Sequence, residues 1–235
     1  MKAFYFANKD RKLRYGDNRE IHLGETHHCK GKVRLCESGL HASVRLIDAL
    51  LYAPSSLLYV VELSGRMDKG HNKICAESRT YLKCVDIGDT LRLFARKVAE
   101  INIHKIKPYC SEPDFNLIVE WLRTGDSNLG SAAWSAAWSA AWSADDSAAK
   151  SAAWSAAWSA DDSTAESAAR SAAWSAAWSE FNELLVELVE YNTSLDLSWS
   201  LIDRDTAETE AKRKSDKQLD EIKSTWERSN ASKRY

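Results

Sequence analysis

The sequence has few of the residues that interrupt regular structure, and it has no long apolar run. Only 3 of its 235 residues are proline and 9 are glycine, so helices and strands can continue with few breaks. No apolar stretch approaches the roughly 20 residues that span a bilayer, and the start MKAFYF lacks the apolar core of a signal peptide. We therefore expect no membrane span and a cytoplasmic protein.

Several kinds of chemistry lack their usual signatures. The 5 cysteines show no CxxC spacing, which favours reduced thiols over a disulfide framework. The formal net charge is only −2 and the charges are scattered, which weighs against nucleic acid as a partner. No GxGxxG, Walker A, HExxH or GxSxG motif is present, which argues against nucleotide hydrolysis and α/β-hydrolase chemistry.

One histidine- and cysteine-rich stretch contains residues that can bind a metal ion. His27, His28, Cys29 and Cys36 lie within ten residues of one another. Structural zinc sites bring their ligands in paired short spacings, which this stretch does not match. We therefore predict no metal ligands. Because the motifs named above are missing as well, we predict no catalytic residues and no cofactor.

The first half of the chain mixes strand-like and helix-like segments. Strands are predicted at 2–6, 32–36 and 56–65, where β-branched and aromatic residues are concentrated. Apolar residues at helical spacing predict helices at 43–53 and 90–101. A further helix is expected to begin at Ser111, whose side chain can cap it. Because strands mostly precede helices, the pattern favours an α+β fold.

The stretches LCESGLHAS (35–43), LYVVELSG (58–65) and KICAES (73–78) together resemble a domain of unknown function found in phage and prophage proteins. In that family, similar stretches form a strand–helix–strand arrangement that is often followed by Ala- and Ser-rich repeats. The resemblance implies a fold and a viral setting inside a host cell, and it implies no reaction.

His41 has two interpretations. It can fix a turn by bonding a backbone group, which we favour, or it can contact a ligand at the end of a strand. The stretch around it also looks, more loosely, like the passage of ADP-ribosyltransferases that folds around nicotinamide adenine dinucleotide (NAD). Under that resemblance His41 and Ser43 would line the nicotinamide pocket. Glu62, Glu77 and Arg14 are candidates by residue type for the catalytic carboxylate and the dinucleotide-gripping arginine.

Residues 131–178 consist of twelve tetrads, most of them SAAW or a close variant. About half of these residues are alanine, and neither glycine nor proline occurs, so the summed propensity favours helix. Unbroken, 48 such residues would form a rod of about 70 Å. The sequence leaves open whether the rod folds back on itself. Asp146 and Lys150 have the spacing of a helical ion pair.

The tryptophans of the repeat are the predicted interaction residues. A lone helix would leave these rings largely in water, although burying each is worth several kcal/mol at about 25 cal/mol per Å². We expect a second copy of the chain, the N-terminal domain or a host protein to cover them, with self-association the first choice. An unused spacer produced by repeat duplication is the alternative. The seven residues are Trp134, Trp138, Trp142, Trp154, Trp158, Trp174 and Trp178.

The chain is therefore predicted to have four parts. These are an α+β head domain (1–126), the tetrad-repeat helix (127–178), an amphipathic helical capping segment (179–202) and a charged helical tail (203–235). Within the capping segment, the alternation of apolar and polar residues over 194–202 suggests a strand, and a helix that begins at Ser194 is the alternative. The leading hypothesis is a non-enzymatic phage or prophage accessory protein that acts through protein–protein interaction. The alternative is an ADP-ribosyltransferase-like enzyme that binds NAD in its N-terminal domain.

Overall fold

The computed structural model describes residues 1–160, 165–174 and 181–200. The described residues form two compact units. The first comprises Met1–Arg92 with the described parts of two later segments, 165–170 and 185–200; the second comprises 93–160, 171–174 and 181–184. The predicted tail at 203–235 lies outside the described residues. The division at 126, 178 and 202 stays a prediction.

The first unit is built on a five-stranded antiparallel sheet. Its strands are β1 (Lys2–Ala7), β2 (Thr26–His28), β3 (Leu40–Ala42), β4 (Leu57–Lys69) and β5 (Ile74–Asp86). They run in the order β1-β4-β5-β2, and β3 pairs with β5 beyond the end of β2. The strands predicted at 2–6 and 56–65 are confirmed as β1 and β4, because both carry the β-branched and aromatic residues that suit a half-buried sheet.

The sheet closes on itself at one end. Phe4 and Ser43 exchange two backbone hydrogen bonds of 2.7 and 2.9 Å, so the residue after β3 is bound to β1. The inner face holds the core of this unit, with Tyr59, Tyr81 and Leu63 fully buried. Because of this closure, residues of β1, β3 and β5 face one shared space inside the sheet.

Two local predictions in this unit were wrong in detail. Residues 32–36 form no strand: Arg34 and Ser38 bond across a turn, and Cys36 has a φ of +66° that a strand cannot contain. The helix predicted at 43–53 is shortened to α1 (Leu46–Leu50), because the backbone of Ser43 is used in the bridge to Phe4. Residues 198–200, in the segment left open, form a 3₁₀ turn whose Trp199 stacks on Phe4 at 4.8 Å.

The remaining elements are helical. They are α2 (Gly88–Asn102), a 3₁₀ segment (Ile103–Tyr109), α3 (Glu112–Thr124), α4 (Ser127–Ser143), α5 (Ser147–Ala160), α6 (Ala165–Trp174) and α7 (Asn182–Thr193). The helix predicted at 90–101 is confirmed as α2. The Ser111 cap is confirmed as well, since its hydroxyl accepts a hydrogen bond from the Asp114 N–H at 3.3 Å. The α+β fold class is therefore confirmed.

The tetrad repeat is helical over residues 131–143, 147–160 and 165–174, and the helix is interrupted between α4 and α5, which fold back on each other. α4 ends where Ala144 takes an extended conformation, and the Asp146 carboxylate accepts hydrogen bonds from the first N–H groups of α5. Asp146 therefore caps a new helix. Helices α4 and α5 pack against each other through alanines that are almost fully buried, among them Ala137 and Ala153. No helix within the described ranges is long and apolar enough to cross a membrane.

Candidate functional site

A cavity of about 650 Å³ lies in the first unit, in the space that the closed end of the sheet encloses. This volume is within the range of about 300–1,000 Å³ that is usual for small-molecule sites. β1 and β3 form part of its wall, and residues 13–15 and 36–39 form loops beside them. The side chains that give it polar and aromatic character include Tyr5, His41, Ser43, Tyr52, Lys73 and Arg79.

Arg79, on β5, is the cavity's buried cation. Its residue is 2% exposed. Its Nε and Nη2 atoms donate to the Tyr81 hydroxyl at 3.1 and 2.9 Å, and its Nη1 donates to the His41 carbonyl at 2.5 Å. The guanidinium carbon lies 3.7 Å from the centre of the Tyr5 ring, close enough for cation–π attraction. All of these partners are neutral.

A chain of hydrogen bonds extends from Arg79 behind the cavity wall. The Tyr81 hydroxyl also bonds His27 Nδ1 at 3.0 Å, and His27 Nε2 lies 3.2 Å from the Glu25 carboxylate. Because a carboxylate can only accept, Nε2 carries the proton and Nδ1 accepts from Tyr81. Burial lowers the pKa of His27 below its ordinary 6.5, against the opposing attraction of Glu25, so the ring is neutral at pH 7.

His41 uses both ring nitrogens to hold the turn before β3. Nδ1 lies 3.1 Å from the Gly39 carbonyl and therefore donates to it, while Nε2 accepts from the Cys36 N–H at 3.2 Å. Burial and the nearby Lys73 ammonium lower the pKa of His41. The neutral ring thus fixes the turn, in agreement with the structural interpretation, and it also lines the cavity.

Two further cations lie on the cavity lining. Arg14 donates from Nη1 to the Tyr52 carbonyl at 2.8 Å, and the Lys73 ammonium lies 4.7 Å from the centre of the Tyr52 ring. Desolvation lowers the pKa of Lys73, but its hydrogen bond with the Cys36 thiol and its attraction to Tyr52 raise the pKa by more. The net pKa lies above its ordinary value, so Lys73 is charged at neutral pH.

The acidic side chains on the lining already have partners. Asp17 forms two hydrogen bonds with Arg19, of 2.6 and 2.7 Å, and these hold the pKa of Asp17 below its ordinary value. Glu37 pairs with Arg34 at 3.2 Å. Since neither Arg19 nor Arg34 lines the cavity, each acid is balanced from outside it. Positive charge is therefore in excess on the cavity wall.

The residues suggested by the ADP-ribosyltransferase resemblance are only partly brought together. His41, Ser43 and Arg14 line the same cavity, whereas Glu62 and Glu77 do not. Glu77 instead pairs with Arg66 across the bend of β4 and β5. Sequence reasoning missed Arg79, because a single arginine in the stretch SRTYL belongs to no motif that marks it as buried.

The histidine- and cysteine-rich stretch is dispersed in the structure. His27 belongs to the hydrogen-bond chain described above, His28 bonds the Ser78 hydroxyl at 2.8 Å, and Cys36 lies at the exposed edge of the cavity. In the part of the chain that the structure describes, no three His, Cys, Asp or Glu side chains are grouped in a way that could hold a metal ion.

The tryptophans of α4 and α5 form one continuous group of rings, which we call the tryptophan row. Its members are Trp134, Trp138, Trp142, Trp154 and Trp158. Trp138 and Trp154 meet edge to face across the two helices at 4.4 Å, while Trp134 and Trp158 stack on their neighbours along each helix at 5.1 and 5.4 Å. Much of the shelter that these rings need therefore comes from within the chain.

The row is not fully covered. Trp142 is 71% exposed and Trp158 is 38% exposed, whereas the other three rings are partly buried. Trp174 is the last residue of α6, and its side chain lies outside the described set, as does all of Trp178. The row thus presents open indole surface at Trp142.

Residues 1–93 match the model of a family described as Domain of unknown function (DUF7666). This range contains all five strands and every residue that lines the cavity. The expected domain of unknown function is therefore confirmed over these residues, while the phage setting stays a prediction. Neither the curated proteins nor the solved structures include a match to this chain.

Proposed function

We propose that this protein acts through protein–protein contact made by the tryptophan row of α4 and α5, and that its first partner is a second copy of the same chain. The observation that carries this proposal is the exposure of Trp142. Trp142 is 71% exposed to solvent, although its ring contacts the rings of Trp138 and Trp154. Tryptophan is enriched among the residues that contribute most of the binding energy at protein interfaces.

The α4–α5 pair does not need this ring for its own packing. Its interior is filled by alanines, of which Ala137, Ala153 and Ala157 are fully buried. A tryptophan at the edge of such a pair adds apolar area to the surface, and it contributes little to the packing between the two helices. Apolar area of this kind is stabilising once another surface covers it, at about 25 cal/mol per Å².

A second copy suits this surface for two reasons. Identical rows can meet in a two-fold contact in which each supplies the rings that the other lacks. The serine and alanine side chains between the rings are small, so two backbones can approach closely. Of the charged residues that separate the tetrads here, Asp145 is already bonded to the Tyr109 hydroxyl at 2.7 Å, so it does not need a partner from the other copy.

Sedimentation of the full chain, from low to high micromolar concentration, tests the proposal. The wild type should dimerise, and Trp142→Ser should weaken dimerisation by about tenfold or more, because truncating a hot-spot tryptophan costs about 2 kcal/mol. Tyr15→Ser is the matched control, since Tyr15 is 93% exposed and lies in the other unit. A wild type that stays monomeric throughout overturns self-association; a dimer unaffected by Trp142→Ser overturns the surface.

The same proposal places the protein among phage or prophage accessory proteins that act inside a host cell. Its support is the resemblance of residues 35–43, 58–65 and 73–78 to a domain of unknown function that occurs in phage and prophage proteins. Under this proposal a host protein is the alternative occupant of the tryptophan row. A monomeric chain whose complex with one purified host protein is lost in Trp142→Ser would select that occupant over the second copy.

A second candidate function is transfer of ADP-ribose from NAD. It is favoured by the positions of His41, Ser43 and Arg14 on one cavity. If the protein has this activity, the wild type incubated with NAD and host lysate should release nicotinamide. His41→Ala should abolish this release, whereas the exposed His22→Ala should leave it unchanged. If the wild type releases no nicotinamide, this candidate is wrong.

A further inference from the structure

Arg79 is a buried charge whose partners leave it electrically unbalanced. Its hydrogen bonds go to a hydroxyl and to a backbone carbonyl, and no carboxylate of the described residues lies within 4.0 Å of it. A buried guanidinium is expensive to desolvate when it lacks a counter-charge, and such groups are uncommon unless paired. The carboxylate nearest along the hydrogen-bond chain is Glu25, which is separated from Arg79 by two neutral side chains and is 40% exposed.

The rest of the cavity wall adds to this excess of positive charge. Lys73 and Arg14 also line the cavity, whereas Asp17 and Glu37 are balanced by arginines outside it. His41 is the remaining titratable imidazole on the wall, and it is neutral. The Cys36 thiol accepts a hydrogen bond from Lys73. The wall thus has three cations that no acid within the cavity offsets.

The same cavity is lined by aromatic side chains on which the planar ring of a ligand can stack. Tyr5 lies against the guanidinium of Arg79, and Tyr15 and Tyr52 are exposed aromatic residues on the lining. Tyr15 and Cys36 both have positive φ angles, of 61° and 66°, at residues where such angles are strained. Strain of this kind on two loops of one cavity is typical of sites that hold a ligand.

We propose that this cavity binds an organic phosphate that carries a planar ring, with the phosphate on Arg79, Lys73 and Arg14 and the ring against the tyrosines. Tyr81 and the His41 carbonyl use three of the five N–H groups of Arg79, so one N–H on Nη1 and one on Nη2 remain to donate to phosphate oxygens. Three cations suit a dianionic phosphate better than a singly charged carboxylate. A mononucleotide has both required parts and is small enough for about 650 Å³. The proposal depends neither on self-association of the helices nor on any transfer reaction.

Calorimetric titration of the full chain with adenosine monophosphate tests it. The wild type should bind this probe, and it should bind adenosine, which lacks the phosphate, at least about tenfold more weakly. Inorganic phosphate, which lacks the ring, should also bind more weakly. Equal binding of adenosine overturns the role of the cations, and equal binding of inorganic phosphate overturns the role of the tyrosines. No binding of adenosine monophosphate at millimolar concentration overturns the whole inference.

Substitutions place the binding in this cavity. Arg79→Met should weaken binding by about tenfold or more, and Lys73→Gln by a few fold. Lys83→Gln is the control, because it removes the same charge from an exposed position of β5 outside the cavity. If Arg79→Met fails to fold, Lys73→Gln decides, since Lys73 is not in the buried core. Binding that Lys73→Gln leaves equal to that of Lys83→Gln overturns the site.

Discussion

Arg79, Tyr81, His27 and Glu25 show how single residues give the cavity its character. Tyr81 uses its one hydroxyl to receive two N–H groups of Arg79 and to donate to His27. The hydroxyl therefore orients the guanidinium, and the neutral imidazole orients the hydroxyl. Few of these contacts follow from spacing along the chain: Arg79 and Tyr81 share a strand, whereas His27 comes from β2 and Glu25 from the loop before it.

The pH dependence of stability follows from His27. Its folded-state pKa is lowered by burial, so the unfolded chain binds this proton more readily than the folded chain. The free energy of unfolding should therefore be highest near neutral pH and should decrease as pH falls through 6.5, the ordinary value. His41, whose pKa burial also lowers, contributes in the same direction.

Urea unfolding at a series of pH values measures this effect. His27→Gln, which cannot take up the proton, should show a smaller loss of unfolding free energy than the wild type between neutral and mildly acidic pH. His22→Gln is the control, because His22 is exposed. An equal loss in the wild type and in His27→Gln would show that the buried imidazole does not set the acid sensitivity.

At the scale of elements, the tetrad repeat folds back because two aspartates interrupt it. The Asp145 carboxylate accepts a hydrogen bond from the Tyr109 hydroxyl. The Asp146 carboxylate accepts hydrogen bonds from the N–H groups of Ala148 and Ala149, which in a single continuous helix would bond to backbone carbonyls instead. Short acidic side chains compete well for such N–H groups, so they favour helix starts over helix interiors. The nearly uniform Ala and Ser faces then let α4 and α5 pack closely.

One serine of this helix pair is in an unfavourable position. Ser155 in α5 is almost fully buried, and its hydroxyl finds no hydrogen-bond partner among the described residues. An unsatisfied buried hydroxyl costs about 1–3 kcal/mol. We expect Ser155→Ala to raise the free energy of unfolding by about 1 kcal/mol more than Ser135→Ala, an exposed position of α4 with the same change in helix propensity.

Denaturant unfolding followed by tryptophan fluorescence measures this difference, because five of the chain's tryptophans lie in α4 and α5. Equal effects of the two substitutions would mean that the Ser155 hydroxyl is satisfied in solution. The comparison also tests whether the repeat serines are interchangeable, as their identical surroundings in the sequence indicate.

At the scale of the whole molecule, the chemistry is divided between the two units. The cationic cavity belongs entirely to the first, and the tryptophan row belongs entirely to the second. The two proposals therefore depend on different residues. Trp142→Ser should lose dimerisation and should bind adenosine monophosphate as tightly as the wild type. The affinity measured by calorimetry therefore does not depend on the oligomeric state.

The sequence by itself determined the α+β class, the positions of β1, β4, α2 and α3, and the helical state of the described part of the repeat. These depend on local properties: strand-forming residues, apolar spacing, the cap at Ser111 and the propensity of alanine. Residues 32–36 were mispredicted, because a short apolar run does not distinguish a strand from a turn held by side chains.

Only the tertiary structure decided where the cavity lies and which rings remain open to solvent. Arg79 becomes a buried wall residue because the Phe4–Ser43 bridge closes the sheet around it, and no pattern along the chain encodes that bridge. Trp142 stays exposed, while Trp138 and Trp154 shelter each other, because the fold-back at Asp145 and Asp146 sets the register of α4 against α5. Both outcomes depend on contacts between residues distant in sequence, and local propensity does not specify such contacts.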